Sequence, residues 1–162
     1  MKLVITAASL ALVAGTLRAE PDYAAPPAFY DEPPIAEWLI EEDDIDWQTN
    51  PTVPNGIAAA MLLGNPAEAG PFLMRVRIPA GTRVPPHYHD TVRFVRVLQG
   101  VWRMGEGKEW DDDRLTLVPP GTSYISAAWS RRFHVTDEEV VLEISGMGPS
   151  GTWFVADRPE AQ

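Results

Sequence analysis

Short apolar runs that are broken at close intervals by proline and glycine are the feature that most constrains the fold of this chain. The 162 residues include 16 prolines and 12 glycines, and outside the N-terminus no long segment has the periodicity of an amphipathic helix. In the run Phe72–Ile78, apolar residues alternate with Arg75 and Arg77, as the two faces of a strand require. The pattern predicts an all-β domain built as a sandwich or a barrel.

The first 19 residues have the features of a secretory signal peptide. Met1-Lys2 precedes an almost purely apolar run from Leu3 to Gly15, and Ala19 offers a cleavage site. The run is shorter than the roughly 20 apolar residues of a membrane-spanning helix. We therefore expect residues 1–19 to be removed, no membrane attachment afterwards, and a mature protein that is periplasmic or secreted.

Composition divides the mature chain into an arm, a domain and a short tail. Residues 20–49 are rich in proline and acidic groups and should form an extended arm with little structure of its own. A single domain is expected over residues 50–157, followed by a tail over residues 158–162. The acidic run Glu41–Asp46 is interpreted as a solvated surface, because it lacks the spacing and the mid-loop glycine of a calcium loop.

Charge and cysteine content exclude two classes of function. Loss of residues 1–19 would remove Lys2 and Arg18 from the 13 basic residues, leaving 11 against 23 acidic ones and a net charge of −12. Such a surface repels the phosphates of nucleic acids and of anionic lipids, so nucleic-acid binding is excluded. The chain has no cysteine, which rules out disulfides, thiolate metal ligands and a cysteine nucleophile.

Two histidines with one residue between them, His87 and His89, are the strongest candidates for a functional site. Residues two apart in a strand point to the same face about 7 Å apart, so both imidazoles can converge on one ion. We expect them where a loop enters a strand, after a turn formed by Gly81 and the pair Pro85-Pro86. Spacing alone leaves open the alternative of two rim histidines that bind no ion.

The residues around this pair resemble the first sequence motif of the cupin superfamily, G-x5-H-x-H-x3,4-E-x6-G. Both histidines, the bracketing glycines and position 93 match every spacing, but Arg93 stands where the family has a glutamate. The resemblance covers roughly residues 50–155. It implies a double-stranded β-helix, which is a small jelly-roll barrel with the site in its lumen.

The second cupin motif, G-x5-P-x-G-x2-H-x3-N, is matched only at its centre. Pro119 and Gly121 agree with it, whereas Asp113, Tyr124 and Ala128 replace its glycine, histidine and asparagine. Tyr124 is in register to contact a ligand, but as a metal ligand it would have to lose a proton with a reference pKa of about 10. A packed tyrosine with a satisfied hydroxyl is the alternative.

The third histidine of the chain, His134, lies ten residues beyond Tyr124 and across an apparent turn at Ser130–Arg132. If the strand pairs back on itself there, His134 reaches the lumen as a third metal ligand; otherwise it caps the rim. The resemblance implies a divalent metal, and three histidines would suit Fe²⁺, Mn²⁺, Ni²⁺, Cu²⁺ or Zn²⁺.

Arg93 is the most informative departure from the family pattern. Alternation from His89 places it on the lumen side, where a permanent positive charge repels the metal that a glutamate would attract. Three outcomes are open: histidines alone bind the metal with weakened affinity, Arg93 swings out to pair with a carboxylate such as Asp90, or the lumen has lost metal and Arg93 holds an anion.

Two functions from different classes follow. The first is a metal-dependent enzyme acting on a small molecule, with the oxygenase or isomerase chemistry that is common among cupins; no catalytic residue is assigned. The second is a non-catalytic protein that binds an anionic or sugar ligand in the lumen through Arg93, with Tyr124 as a further contact. The resemblance also suggests a homodimer, since cupin barrels often pair along their edges.

Overall fold

The computed structural model describes residues 39–49 and 56–155, and these ranges contain eleven β-strands and two short 3₁₀ helices. The strands are β1 (Gln48–Thr49), β2 (Ala58–Leu63), β3 (Gly70–Ile78), β4 (Arg83–His89), β5 (Arg93–Gln99), β6 (Trp102–Glu106), β7 (Thr116–Val118), β8 (Ser123–Ser126), β9 (Arg132–Val135), β10 (Val140–Gly148) and β11 (Thr152–Phe154). The 3₁₀ helices are Glu42–Asp44 and Asp112–Arg114. The predicted signal peptide, most of the predicted arm and the predicted tail lie outside the described residues.

The strands form two antiparallel sheets. One has six strands in the order β1-β2-β3-β10-β5-β8, and the other has five in the order β11-β4-β9-β6-β7. Strands β4 and β5 follow each other in the chain but belong to different sheets, so the chain crosses between the sheets directly after His89. The predicted all-β jelly-roll barrel is confirmed. No helix within residues 39–49 and 56–155 is long and apolar enough to cross a membrane.

A buried apolar cluster takes side chains from both sheets and fills one part of the barrel. Its members are aliphatic residues and one tryptophan: Ile57, Ile78, Val84, Val95, Val97, Trp102, Val118, Val140 and Leu142. Fully burying a side chain of this size stabilises the fold by about 1.5–3 kcal/mol. The alternation predicted for residues 72–78 is confirmed, because Phe72, Met74 and Ile78 are buried.

The end of the predicted arm contacts the six-stranded sheet. Thr49 pairs with Ala58 as part of β1, and the carboxylate of Glu42 accepts from Arg75 Nη1 at 2.6 Å. Ile45 is buried. Residues 42–49 are therefore attached to the barrel by a strand pair, an ion pair and one apolar side chain.

The strand that carries the histidine pair begins earlier than predicted. Gly81, with a φ of +73°, does form the expected turn, but Pro85 and Pro86 lie inside β4 rather than in that turn. Proline cannot donate to a strand ladder. The register against β9 shifts between Val84 and His87, and β11 pairs only from His87 onward, so neither neighbour takes a donor from the two prolines.

Candidate ligand-binding site in the barrel lumen

A cavity of about 280 Å³ lies between the two sheets. Its polar lining includes His87, His89, Arg93, Tyr124, Arg132 and His134. Most of the remaining lining is aliphatic, and among the described residues that line it there is no aspartate or glutamate. All five predicted site residues therefore meet in one cavity, whose charged lining groups are arginines.

The three histidines come together on neighbouring strands. The ring centre of His87 lies 5.3 Å from that of His89 and 5.1 Å from that of His134. His134 reaches the lumen because β9 pairs with β4, where it lies opposite Val84. The strand does not pair back on the preceding one, which was the condition considered from the sequence, since β8 and β9 belong to different sheets.

Hydrogen bonds to backbone carbonyls fix two of the imidazoles. His87 Nδ1 donates to the carbonyl of Pro85 at 2.8 Å, and His89 Nδ1 donates to the carbonyl of Gly151 at 3.1 Å. Because a carbonyl only accepts, the proton of each neutral ring is assigned to Nδ1, which leaves Nε2 as an acceptor.

His134 is held by stacking instead. Its ring lies 4.4 Å from the ring of Trp102 with an angle of 22° between the planes. Its Nδ1 atom is buried and has no hydrogen-bond partner among the described residues. An unpaired buried polar atom is costly to the folded state.

Burial lowers the pKa of every histidine in the lumen. The pKa of His87 falls to about 4 and that of His89 to about 2, and the pKa of His134 lies well below its usual value. Removal from water is the largest cause in each case, and repulsion by Arg132 adds to it; Arg93 also repels His87 and His89. All three rings are neutral at pH 7.

Arg93 points into the lumen, as alternation along β5 predicts. It is only 5% exposed. Its Nε and Nη2 atoms donate to the Ser150 hydroxyl at 3.1 and 2.8 Å, and Nη2 also donates to the carbonyl of Gly151 at 3.0 Å. Burial lowers the pKa of Arg93 to about 10, although the charge of Asp90 opposes this shift. The group is therefore a cation at neutral pH.

Arg93 does not swing out to pair with a carboxylate. The ion pairs among the described residues involve other arginines, and Asp90 Oδ1 accepts from the Gly151 amide at 2.9 Å. The acceptors of Arg93 are a hydroxyl and a carbonyl, both neutral.

Tyr124 lines the cavity as a neutral phenol. Its hydroxyl accepts a hydrogen bond from Trp102 Nε1 at 3.2 Å. Burial raises its pKa further above the usual value, which disfavours the phenolate that a metal ligand needs. The position is that of a packed tyrosine with a satisfied hydroxyl, able to contact a ligand but poorly suited to a metal.

Arg132 is the lumen residue that the sequence analysis missed. It is 4% exposed and lines the same cavity. Its strand, β9, also carries His134 two residues later, and residues two apart in a strand share a face. Alternation along β9 puts Arg132 on the same face as His134, but it predicts a position in the lumen only if His134 is known to face the lumen.

The described residues do not fit the predicted transition metal. Within residues 39–49 and 56–155, no group of three or more histidine, cysteine, aspartate or glutamate side chains is arranged to hold a metal ion. The repulsion that Arg93 and Arg132 exert on a proton at His87 or His89 would act on a divalent cation with twice the charge. Among the described residues that line the cavity, no carboxylate offsets this repulsion.

Comparisons with known proteins establish the fold. No family model matches the chain, and no curated protein matches it. An RmlC-like cupin protein from Ralstonia eutropha JMP134 has 18% identity over 76% of this chain and 76% of its own, with a TM-score of 0.58. The polyketide cyclase RemF from Streptomyces resistomycificus has 16% identity over 69% of this chain and 82% of its own, with a TM-score of 0.57.

A third solved structure, described as a sugar phosphate isomerase from a cupin superfamily of Silicibacter pomeroyi, has 18% identity over 72% of this chain and 80% of its own, with a TM-score of 0.55. At such identities the similarity concerns the fold. The protein has the cupin fold, as the first motif implied.

Proposed function

We propose that the lumen of this cupin-fold domain binds a small organic anion, with Arg93 as an anchor. The observation that carries the proposal is a buried cation that has no carboxylate partner among the described residues, in a cavity whose described lining has no acidic residue. A buried charge is costly unless it is paired. An anionic ligand would supply the missing partner.

The remainder of the cavity supports a ligand with an apolar body. Met74, Val76, Leu142 and Ile144 lie along the wall beyond the polar groups. A volume of about 280 Å³ suits a ligand of on the order of ten non-hydrogen atoms, taking about 30 Å³ for a water-sized unit. A neutral sugar is disfavoured, because it would leave the charge of Arg93 unpaired.

Calorimetric titration with butyrate and with butyramide, which has nearly the same shape but no charge, tests the proposal. Butyrate should bind and butyramide should not bind measurably. Arg93→Gln should weaken butyrate at least about tenfold, since hydrogen bonds to charged groups contribute roughly 1.5–3 kcal/mol. Arg103→Gln is the matched control, because Arg103 pairs with Asp137. Equal binding of amide and acid, or equal behaviour of the two variants, would contradict the proposal.

The alternative is the metal-dependent oxygenase or isomerase, with His87 and His89 as ligands. The proximity of the three imidazole rings favours it, whereas the two buried arginines oppose it. Elemental analysis of untagged protein beside a His87→Ala/His89→Ala variant decides: a metal content that disappears with the two imidazoles would support the alternative, and equal content would end it.

Export and dimer formation stay predictions. We propose removal of residues 1–19 on export to the periplasm or the medium, which N-terminal sequencing of the exported protein checks by a start at Glu20. The homodimer is checked by the mass from light scattering. A retained Met1 or a monomeric mass would refute the respective prediction.

A further inference from the structure

We infer that the lumen ligand is a short dicarboxylate and that Arg132 is its second anchor. The inference rests on the proposed anion binding and narrows the class of anion. It starts from a second buried guanidinium that the same cavity contains.

Arg132 has the same kind of surroundings as Arg93. It lies on β9 of the five-stranded sheet and is 4% exposed. Its Nη1 atom donates to the Ser126 hydroxyl, and Nη2 donates to the carbonyls of Ala127 and Ser130 at 3.0 and 3.1 Å. These acceptors are all neutral. Its Nε atom is buried and has no partner among the described residues.

The two guanidinium groups approach the polar end of the cavity from opposite sheets. Arg93 lies directly opposite Ser126 in the pairing of β5 with β8, and Ser126 is the residue to which Arg132 donates. Arg132 in turn lies opposite His87 in the pairing of β4 with β9. Both cations therefore act on one small volume around Ser126 and His87.

Two buried guanidinium cations in one cavity favour a ligand that carries more than one negative charge. Burial lowers the pKa of both arginines; Asp90 opposes this shift at Arg93, and Tyr124 and Glu106 oppose it at Arg132. Neither carboxylate forms an ion pair with these arginines. A monocarboxylate would neutralise one guanidinium and leave the other buried and unpaired, which is the costly arrangement. A dianion neutralises both.

The different hydrogen-bond partners of the two guanidinium groups favour two carboxylates over a single doubly charged group. Arg93 is anchored on Ser150 and Gly151, whereas Arg132 is anchored on the β8–β9 turn at Ala127 and Ser130. Because the two arginines lie on different sheets and are held by different loops, a ligand with a carboxylate at each end of a short carbon chain can contact both. Such a ligand also fits a cavity of about 280 Å³.

Titration of the unmodified protein with matched pairs tests the inference without any variant. Succinate is compared with butyrate and glutarate with valerate, so that each pair has the same number of carbons. At least one dicarboxylate should bind about tenfold or more tightly than its partner. Inorganic phosphate, a compact dianion, is the third probe and should bind more weakly than that dicarboxylate.

The substitution Arg132→Gln tests whether Arg132 binds the second carboxylate of the ligand. The variant should weaken dicarboxylate binding more than butyrate binding, and so reduce the advantage of the dicarboxylate to within about threefold of the monocarboxylate. A circular dichroism melt accompanies it, because Arg132 also holds the β8–β9 turn. Should the variant unfold, the matched pairs on the unmodified protein still decide the charge of the ligand.

The outcomes separate this inference from the proposed function. Equal affinities within both pairs would overturn the dicarboxylate and leave anion binding intact. Phosphate binding more tightly than any dicarboxylate would overturn the two-carboxylate form. Failure of every anion to bind would overturn the proposed function as well.

Discussion

Arginines on the outer surface of the barrel and arginines in its lumen have different partners. Outside, Arg103 Nη1 lies 2.8 Å from a carboxylate oxygen of Asp137, and both side chains are partly exposed to water. Inside, Arg93 and Arg132 are buried and donate only to hydroxyl and carbonyl oxygens of the described residues.

The difference indicates which charges matter to function. Exposed ion pairs contribute little, because water and salt screen them. A buried cation that lacks a counter-ion in the protein keeps a positive potential in the cavity. In this chain that potential acts on three neutral imidazoles, which is the basis for the proposed binding of an anion.

Of the predicted changes, acidification should lower the free energy of unfolding most, because it protonates the imidazoles beside the lumen arginines. Each lumen histidine has a folded-state pKa below its unfolded value of 6.5, so the unfolded chain binds more protons as the pH falls. Stability is then complete above pH 6.5 and is lost towards the folded pKa values, about 4 for His87 and about 2 for His89. Three such groups would remove up to roughly 6 kcal/mol between pH 6.5 and 5.

Urea denaturation at half-unit pH steps measures this loss. The chain has three histidines and all line the lumen, so no histidine outside the lumen contributes to the pH dependence of the free energy of unfolding. His134→Phe keeps a ring that can stack on Trp102 but removes the unpaired Nδ1 atom, and it should reduce the slope by about one third. A free energy of unfolding that stays constant over this window would refute the buried neutral imidazoles.

Reversing the charge at position 93 should produce the next largest effect. Arg93→Glu restores the residue type of the first cupin motif beside the three imidazoles. We expect butyrate affinity to fall at least about a hundredfold, roughly 2.7 kcal/mol, and Zn²⁺ affinity to rise, because a carboxylate attracts the ion that Arg93 repels.

Calorimetric titration with butyrate and with Zn²⁺ measures both expected changes. Arg93→Met, which removes the charge without reversing it, is the control. Loss of the charge alone should weaken butyrate without creating Zn²⁺ binding. Tight Zn²⁺ binding by the unmodified protein, left unchanged by Arg93→Glu, would show that Arg93 does not set the sign of the lumen potential.

Removing an outer arginine should produce the smallest effect. Arg103→Ala breaks the pair with Asp137, which is largely exposed, and should lower the free energy of unfolding by less than about 1 kcal/mol without altering butyrate binding. Urea denaturation and calorimetry check the two parts. A large loss of butyrate affinity would remove the distinction between outer and lumen arginines.

Local pattern and motif spacing were sufficient to predict the fold and most of the site. Alternation along residues 72–78 and 91–98 predicts their buried faces and places Arg93 in the lumen, because side chains of a strand alternate whatever the partner strand is. The first motif predicts the barrel and its histidine pair. The sequence predicts a turn at Pro85-Pro86 instead of a strand, because only the register of β4 against β9 shows that no donor is needed there.

What the sequence determined by itself is the buried faces of residues 72–78 and 91–98, the histidine pair and the positive charge at position 93, because side-chain alternation depends only on neighbours in the chain. Only the tertiary structure decided that His134 and Arg132 join the site, because that depends on β9 pairing with β4 across the barrel. It also decided that neither arginine pairs with a carboxylate within residues 39–49 and 56–155, since counter-ions come from residues distant in sequence. The sign of the lumen potential is thus a property of the assembled barrel.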